Sequence, residues 1–391
     1  MIKRPLRVAV IGGGIGGSAA AAALLQRGVD VALFEQAPAL AEVGAGVAIQ
    51  PNGVRVLKGL GLEADLLRVG ARWIDPQFRR FDGSYAAAMW PPALASSIEF
   101  YGLHRADLLA MLVDQLAPKI VNTGHKLVGF AQDAEEATLL FANGRRAAFD
   151  VVIGADGMHS TLQSYVTAPS APRYSGSIAY RGVIRADSVA WPKGAMRNWL
   201  GPGKHFLVFP VRANELVNYV GFVTSDAPLR ESWSAVADPL ALAPEFAGWD
   251  PLVETIIAKV KTTFRWGLFD REPLSTWTRG RLTLLGDAAH PMLPHAGQGA
   301  NQALEDAVTI ATLLSRADRA SAPRALRIYE RLRHAHTAGV QRMSRFNGAL
   351  YDAGSGDLGA RDGQLATQSR DRAWIWNHDA EGEASRAAAA L

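Results

Sequence analysis

The spacing of apolar residues near the N-terminus predicts a strand, a turn, a helix and a second strand, in that order. A β-branched run over 6–11 leads directly into a glycine-rich segment over 12–17. The alanine- and leucine-rich segment 18–27 favours a helix, and the next apolar run, 31–34, again has the length of a strand. Together these segments are typical of one βαβ unit of about 30 residues.

Two later apolar runs are typical of strands in a parallel sheet that is buried on both faces. They cover 151–153 and 282–285, and each ends shortly before an aspartate, Asp156 or Asp287. These runs are therefore expected to extend the sheet that the βαβ unit begins.

Between these runs the pattern changes to an alternation of apolar and polar residues. From about 176 to 269 there are alternating segments such as 206–211 and 216–223, with a helical segment near 239–261. Such alternation is typical of half-buried antiparallel strands. A shorter stretch, 72–100, is rich in Trp, Phe and Pro and is expected to belong with this part of the chain.

The chain is therefore predicted to have an α/β fold in which one domain is discontinuous. A Rossmann-like dinucleotide-binding domain would carry an inserted, mainly antiparallel β-sheet domain that binds substrate, and helices would follow near the C-terminus. The predicted segments are 1–71, 101–175 and 270–350 for the first domain, and 72–100 and 176–269 for the second. Residues 351–391 lose apolar periodicity, and we expect a loosely docked tail.

Composition narrows the chemistry that this fold can perform. The 391 residues include no cysteine, which excludes disulfides, thiolate metal sites, iron–sulfur clusters and a cysteine nucleophile. Apolar residues make up 49% and charged residues 20%, as in a chain that folds. Any redox chemistry must therefore come from a bound cofactor. We predict no metal site.

The charge pattern argues against a nucleic-acid partner. The formal net charge is +4, and the densest basic run, 324–345, also has the apolar spacing of an amphipathic helix. The longest apolar stretches fall far short of the ~20 residues that span a bilayer, and no apolar leader precedes the first strand. We expect a cytoplasmic protein, monomeric or homodimeric, without nucleic-acid or membrane partners.

The glycine turn carries the first chemical signal. Gly12, Gly14 and Gly17 have the G-x-G-x-x-G spacing, which gives a tight turn, a close backbone approach to a pyrophosphate and close packing of helix on strand. Glu35 ends the second strand, where a carboxylate can accept hydrogen bonds from an adenosine ribose. The pattern predicts a dinucleotide site but does not say which dinucleotide binds.

Two further motifs constrain the cofactor. Asp156 and Asp287 each follow a buried strand, at the end where ligands of α/β sheets bind. After Asp287 come a glycine loop, 297–299, and a predicted helix, 302–314, whose N-terminus offers unpaired N–H groups to an electron-rich atom. An NAD-dependent dehydrogenase would explain only the glycine turn, and no G-x-S-x-G or H-E-x-x-H motif supports a hydrolase.

Taken together, the three motifs resemble those of the class A flavoprotein monooxygenases, the aromatic hydroxylases of the para-hydroxybenzoate hydroxylase fold. The resemblance extends over about 5–350. It implies an FAD cofactor that NADH or NADPH reduces, and a flavin hydroperoxide, formed with O2, that transfers OH to an electron-rich ring. The expected substrate is a small phenolic or heteroaromatic acid of the salicylate or 3-hydroxybenzoate type.

The resemblance also implies which residues bind FAD. The glycines would hold the pyrophosphate, Glu35 the adenosine ribose, and Arg105 of the His-Arg-x-Asp-Leu motif the phosphate–ribose region. The full set is Gly12, Gly14, Gly17, Glu35, Gln36, Val47, Arg105, Leu127, Asp156, Asp287, Gly299, Ala300 and Asn301. Gln163 stands where the family usually has an arginine, which removes the usual ion-pair partner of Asp156.

Histidine suits the removal of a phenol proton near neutral pH. His205 resembles a substrate-contacting histidine of the family, and we expect it to bind or deprotonate a phenol, with a purely structural histidine as the alternative. His295, Phe209 and Arg181 are the other candidate substrate contacts. Ala48 stands where the hydroxynicotinate enzymes have a histidine, which argues against hydroxynicotinate.

Other functions would share the same flavin motifs. An epoxidase or a quinolone hydroxylase of the same fold would differ only in the pocket. A non-catalytic FAD-binding protein would show no NAD(P)H oxidation that a small aromatic compound stimulates. The residues of the pocket, and turnover with small aromatic compounds, distinguish these alternatives.

Overall fold

The computed structural model describes residues 5–41, 44–168, 171–226, 236–353, 358–389 and 391 of the chain. In chain order the strands are β1 (Arg7–Ile11), β2 (Asp30–Phe34), β3 (Gly46–Ile49), β4 (Ala71–Arg72), β5 (Asp75–Arg80), β6 (Tyr85–Ala88), β7 (Tyr101–His104), β8 (Val121–Asn122), β9 (Leu127–Gln132), β10 (Ala137–Phe141), β11 (Arg146–Phe149), β12 (Val151–Gly154), β13 (Arg173–Arg185), β14 (Ala195–Gly201), β15 (Lys204–Val211), β16 (Leu216–Thr224), β17 (Val236–Ala237), β18 (Thr263–Asp270), β19 (Thr278–Arg279) and β20 (Leu282–Leu284). The helices are α1 (Ile15–Gln26), α2 (Pro51–Gly59), α3 (Glu63–Val69), α4 (Arg105–Val113), α5 (Gln163–Val166), α6 (Pro251–Ala258), α7 (Gly299–Leu314), α8 (Ala322–Tyr351), α9 (Leu358–Asp371), α10 (Ala373–Trp376) and α11 (Ala380–Ala388).

A six-stranded sheet carries the glycine turn. Its order is β19-β20-β12-β1-β2-β8, and its neighbouring strands are parallel except for β19 and β20. Parallel strands covered on both faces need apolar residues throughout, and Val8, Val10 and Ile153 are fully buried. The predicted βαβ unit is confirmed, because β1, α1 and β2 follow in order and the two strands pair in parallel.

Small residues let α1 pack closely on α7. Gly16 faces this contact, where an added Cβ would lie 2.8 Å from Leu285 and 3.2 Å from Ala303. The run of alanines from 19 to 23 is buried as well. The N-termini of the two helices thus belong to one packed unit beside the sheet.

An eight-stranded sheet forms the second layer, in the order β17-β18-β13-β16-β15-β14-β5-β6. Its pairs are antiparallel except β14 with β5, so the predicted antiparallel strands are confirmed. Strands β5 and β6 come from the early stretch 72–100, which therefore shares a sheet with 173–270. The domain boundaries themselves stay a prediction.

The C-terminal segment is packed against the body of the protein, so the expectation of a loosely docked tail is wrong for its described residues. Leu365 of α9 and Ala384 of α11 are completely buried, and Trp376 of α10 is nearly so. The predicted helix over 324–345 is longer than expected, since α8 continues to Tyr351. In the described parts of the chain, no helix combines the length and the apolar character that crossing a bilayer requires.

A buried ion cluster joins this segment to α7 and α8. Arg333 of α8 lies 2.7 Å from Glu305 and 2.8 Å from Asp306, both on α7, and His378 lies 3.1 Å from Glu305. Burial alone would raise the pKa of Glu305, but the charges of Arg333 and His378 hold it below its usual value. The cluster therefore fixes the C-terminal segment to the helices that flank the predicted cofactor site.

Candidate active site

Two of the three glycines in the G-x-G-x-x-G motif are required by close backbone contacts. Gly12 has φ +105°, and a Cβ there would lie 2.3 Å from the Ala155 carbonyl oxygen. A Cβ on Gly17 would lie 1.9 Å from the carbonyl oxygen of Gly12. Gly14 is the exception, because nothing lies within 4 Å of its added Cβ. Two glycines thus serve the fold, and the third opens a space over the N-terminus of α1 that fits a phosphate group.

Glu35 lies beside this turn, as predicted. Its carboxylate accepts hydrogen bonds from the backbone N–H of Gly13 at 2.7 Å and of Ala37 at 2.8 Å. These contacts keep the carboxylate next to the turn, where a ribose would follow the pyrophosphate. Gln36, the next predicted contact, is exposed.

The structure brings Asp156 to the other side of the turn. Its Oδ2 accepts a hydrogen bond from the N–H of Thr161 at 2.8 Å, while its Oδ1 is buried without a partner in the described protein. Burial raises the pKa of Asp156. Gln163 stands where the family usually has an arginine, and its side chain donates to the Ala288 carbonyl at 3.4 Å. Asp156 is held by the backbone N–H groups of Thr161 and Leu162. A buried carboxylate oxygen without a partner fits a ligand that carries hydroxyl groups.

Asp287 and the start of α7 lie together at the end of β20. Asp287 is exposed, and a Cβ on Gly299 would lie 4.0 Å from its Oδ1. The Asn301 side chain ties α7 to β3, accepting from the Gln50 N–H at 2.9 Å and donating to the Ala48 carbonyl at 3.0 Å. The first N–H groups of α7 are thus held beside Asp287, as the predicted flavin contact of 299–301 requires.

Three further predicted FAD contacts lie on short strands and their ends. Val47 pairs with Leu103 between β3 and β7, and the N–H of Arg105 donates to the Ala45 carbonyl at 2.9 Å. Leu127 is buried at the start of β9. These positions agree with the elements that the sequence predicts, and their contacts with FAD stay predictions.

Between the eight-stranded sheet and the C-terminal helices lies a cavity. Apolar and aromatic side chains dominate its walls, as in many small-molecule sites. The lining residues are Ala48, Gln50, Trp73, Phe78, Met89, Phe100, Met196, Asn198, His205, Leu207, Phe209, Phe222, Pro294, His295, Ala296, Gly297, Tyr351 and Arg372. Three predicted substrate contacts, His205, Phe209 and His295, thus share one cavity.

Some lining residues carry polar atoms that the described protein does not satisfy. Buried atoms without a hydrogen-bond partner include Trp73 Nε1, Asn198 Oδ1, His295 Nδ1 and Arg372 Nε. A buried polar group without a partner is costly. Four around one cavity point to a ligand that has polar groups of its own.

Arg181 is the predicted substrate contact that the structure does not bring to the cavity. It is absent from the cavity walls, and its guanidinium carbon lies 4.6 Å from the ring centre of Trp266. The geometry therefore gives its predicted substrate contact no support.

His205 is paired with an acidic residue that sequence reasoning missed. Its Nδ1 lies 2.6 Å from Oδ1 of Asp352, directly after α8, and its ring stacks on Phe222 with centres 4.1 Å apart. A carboxylate partner requires that Nδ1 carry the hydrogen, which leaves Nε2 as the acceptor. The pair is therefore arranged to accept a proton at Nε2 and to stabilise the resulting imidazolium.

His295 has a different environment. Burial, and then the proximity of His205, lower the pKa of His295 to about 3. The ring centres of the two histidines are 5.2 Å apart. His295 is thus neutral at physiological pH and can hydrogen-bond a ligand without carrying charge.

This burial predicts acid destabilisation. Unfolded histidine has a pKa of 6.5, whereas that of folded His295 is about 3. Between these values the unfolded chain binds more protons, so the free energy of unfolding falls as pH drops below about 6.5. Between pH 7 and pH 5, the free energy of unfolding of His295→Gln should therefore fall by up to about 2 kcal/mol less than that of wild type, as measured by urea unfolding.

A surface variant, His159→Gln, provides the control and should follow wild type, because His159 is exposed. His336, whose pKa burial also lowers to about 3, remains in both variants, so some pH dependence should persist. The same pH dependence in His295→Gln and wild type would contradict the prediction.

One group of side chains has metal-ligand chemistry. Atoms of Glu305, His336 and His378 lie within 4.8 Å of one another. Arg333 already places a positive charge 2.7 Å from the Glu305 carboxylate. The geometry is therefore that of a buried ion cluster.

Known proteins match this chain over nearly its whole length. A family model described as an FAD binding domain matches residues 5–344. The chain is 38% identical over 393 residues to a 3-amino-4-hydroxybenzoate 2-monooxygenase of Streptomyces platensis, with 98% of each covered. It is 36% identical over 423 residues to a salicylate hydroxylase of Pseudomonas putida, covering 100% of this chain and 96% of that protein. A solved salicylate hydroxylase substrate complex has a TM-score of 0.85 and 32% identity, with 98% of both chains covered.

Proposed function

Because the chain belongs to the family of FAD-dependent aromatic-ring monooxygenases, we propose that it hydroxylates a small phenolic carboxylic acid of the salicylate or hydroxybenzoate kind. The observation that carries this proposal is the pair of His205 with Asp352, in which His205 lines a mainly apolar and aromatic cavity. The relatives are named for hydroxylation of aromatic acids, which agrees with that chemistry.

The cofactor site fits FAD. The open space over Gly14 and the N-terminus of α1 would take the pyrophosphate, and Glu35 would accept hydrogen bonds from the adenosine ribose. Asp287 and the first N–H groups of α7 would meet the remainder. FAD, reduced by NADH or NADPH, supplies the activation of O2 that no side chain of this chain can provide.

His205 prepares the substrate for oxygen transfer. Its Nε2 would accept the phenol proton, and Asp352 would stabilise the positive charge that forms on the imidazole ring. Loss of that proton raises the electron density of the aromatic ring, which makes the ring a better nucleophile. Neutral His295 would add a hydrogen bond without competing for the proton.

The remaining walls hold the ring and exclude water. Phe209, Phe222 and Trp73 line the cavity, and Phe209 and Trp73 also contact each other with ring centres 5.4 Å apart. Aromatic faces of this kind stack on a planar substrate. Exclusion of water from the cavity would also prevent side reactions during oxygen transfer.

The test is turnover against a panel of ring compounds. Salicylate, 3-hydroxybenzoate, 4-hydroxybenzoate and 3-amino-4-hydroxybenzoate are added to the FAD-loaded enzyme with NADH or NADPH. At least one acid should raise NAD(P)H oxidation tenfold or more. Its product should carry one oxygen atom derived from O2, which labelling with 18O2 detects whether or not CO2 is released from the ring. Benzoate, which has no ring hydroxyl, is the control and should give no hydroxylated product.

Other outcomes would point elsewhere. Oxygenation only of an alkene or a quinolone would replace the proposed substrate class by an epoxidase or a quinolone hydroxylase. No stimulation by any ring compound would favour a non-catalytic FAD-binding protein.

A further inference from the structure

The C-terminal helices bring a buried cation to the cavity. Arg372 lies at the junction of α9 and α10, is only 4% exposed and lines the cavity wall. Among the described residues that line this cavity, it is the one arginine or lysine. Its position is therefore unusual, because the other walls are mainly apolar and aromatic.

The Arg372 guanidinium is incompletely satisfied. Nη2 donates to the Tyr351 hydroxyl at 2.8 Å, while Nε is buried without a partner. None of the described carboxylates lies within ion-pair distance of it, whereas Arg333, also buried, has both Glu305 and Asp306. A buried charge without a counter-ion is strongly unfavourable. An anionic ligand would supply the missing counter-ion.

We propose that Arg372 binds the carboxylate of the substrate. This proposal rests on the proposed function, since it assigns the acid group of the aromatic acid to one side chain. Arginine suits the task because its planar fork can donate two parallel hydrogen bonds to a carboxylate. A neutral amide in place of the acid would lose this charge pairing.

Tyr351 contacts both polar ends of the cavity, His205 and Arg372. Its hydroxyl accepts from Arg372, and its ring centre lies 5.3 Å from that of His205. A phenolic acid carries its hydroxyl and its carboxylate on one ring, so one ligand can reach both His205 and Arg372. The C-terminal helices would thus select substrates by charge, while His205 acts on the hydroxyl.

A structural role is the competing explanation. Tyr351 also donates to Gln368 at 3.3 Å, so Arg372 could simply hold α9 against the end of α8. Loss of that role would weaken the binding of charged and neutral ligands alike. Loss of a carboxylate contact would weaken the binding of the charged ligand alone.

The experiment therefore compares acids with their amides. Dissociation constants of salicylate, 3-hydroxybenzoate, 4-hydroxybenzoate and the corresponding amides are measured through the flavin absorbance of the FAD-loaded enzyme, without NAD(P)H. Arg372→Met should weaken binding of the acid that wild type binds best by about 10- to 100-fold, and of its amide by less than about threefold. Arg372→Lys should recover part of the loss, because it restores the charge without the fork.

The matched control is Arg370→Met, near the end of α9. The Arg370 side chain is 80% exposed, so this variant should leave both constants unchanged. Flavin content and thermal midpoint establish that each variant folds. Equal constants for the acid in wild type and Arg372→Met, or equal losses for acid and amide, would overturn the role of Arg372 while leaving the proposed function standing. If wild type binds none of the acids, the proposed function fails and this inference fails with it.

Discussion

Replacing His205 by alanine is expected to lower hydroxylation about 100- to 10,000-fold while leaving the flavin content unchanged. His205 lines the cavity, and its Nδ1 is held by Asp352 at 2.6 Å, so the variant removes the proton acceptor and leaves the glycine turn intact. The measurement is the rate of product formation, with flavin absorbance per protein determined on the same sample.

The pH dependence separates a proton acceptor from a structural histidine. With 3-hydroxybenzoate or 4-hydroxybenzoate, the deficit should shrink at alkaline pH, because an ordinary phenol loses its proton unaided near pH 10. Asp352→Asn should slow the reaction less than His205→Ala, since Nε2 remains. The exposed His159→Ala is the control, and a rate equal to wild type in His205→Ala would remove His205 from the mechanism.

Substitutions at Gly14 and Gly17 are expected to impair different properties, FAD binding at Gly14 and stability at Gly17. Nothing lies within 4 Å of a Cβ at Gly14, so Gly14→Val should fold but bind FAD at least about 100-fold more weakly, because its side chain fills the phosphate space. A Cβ at Gly17 would lie 1.9 Å from a backbone oxygen, so Gly17→Ala should be destabilised even without FAD. FAD titration and thermal unfolding of the FAD-free protein test the two effects separately.

Gly363→Ala is the control for both variants, since its added Cβ meets nothing within 4 Å in a helix far from the turn in sequence. Wild-type affinity for FAD in Gly14→Val would contradict the assignment of the phosphate space. Wild-type stability in Gly17→Ala would contradict the steric argument at that position.

The cofactor site could be predicted because its signals are local. The glycines of the turn, the helix that follows and Glu35 lie within one stretch of about 30 residues, and each obeys a steric or hydrogen-bonding rule that a single sequence displays. His205 could be proposed because it opens a strand of a recognisable alternating pattern. Its partner Asp352 could not, since 147 residues separate the two and nothing in the sequence links them.

The C-terminal segment was missed for a different physical reason. The buried face of α9 has helical spacing, but three of its four described buried residues are polar: Arg361, Gln368 and Ser369, beside Leu365. Arg372 continues the same spacing. A search for apolar periodicity does not detect such a face, because most of the side chains that it buries are polar. The one signal was the apolar run at 374–376, which a tail in solvent does not need.

The cavity takes its walls from widely separated parts of the chain, whereas the glycine turn is complete by Gly17. One wall comes from Tyr351 and Arg372. Among the described residues, the segment after Tyr351 contributes no strand to either large sheet. In evolutionary terms this wall can vary under selection for new substrates without any change in the residues that retain the cofactor. Substitutions at this wall are therefore expected to change substrate preference more than they change the affinity for FAD.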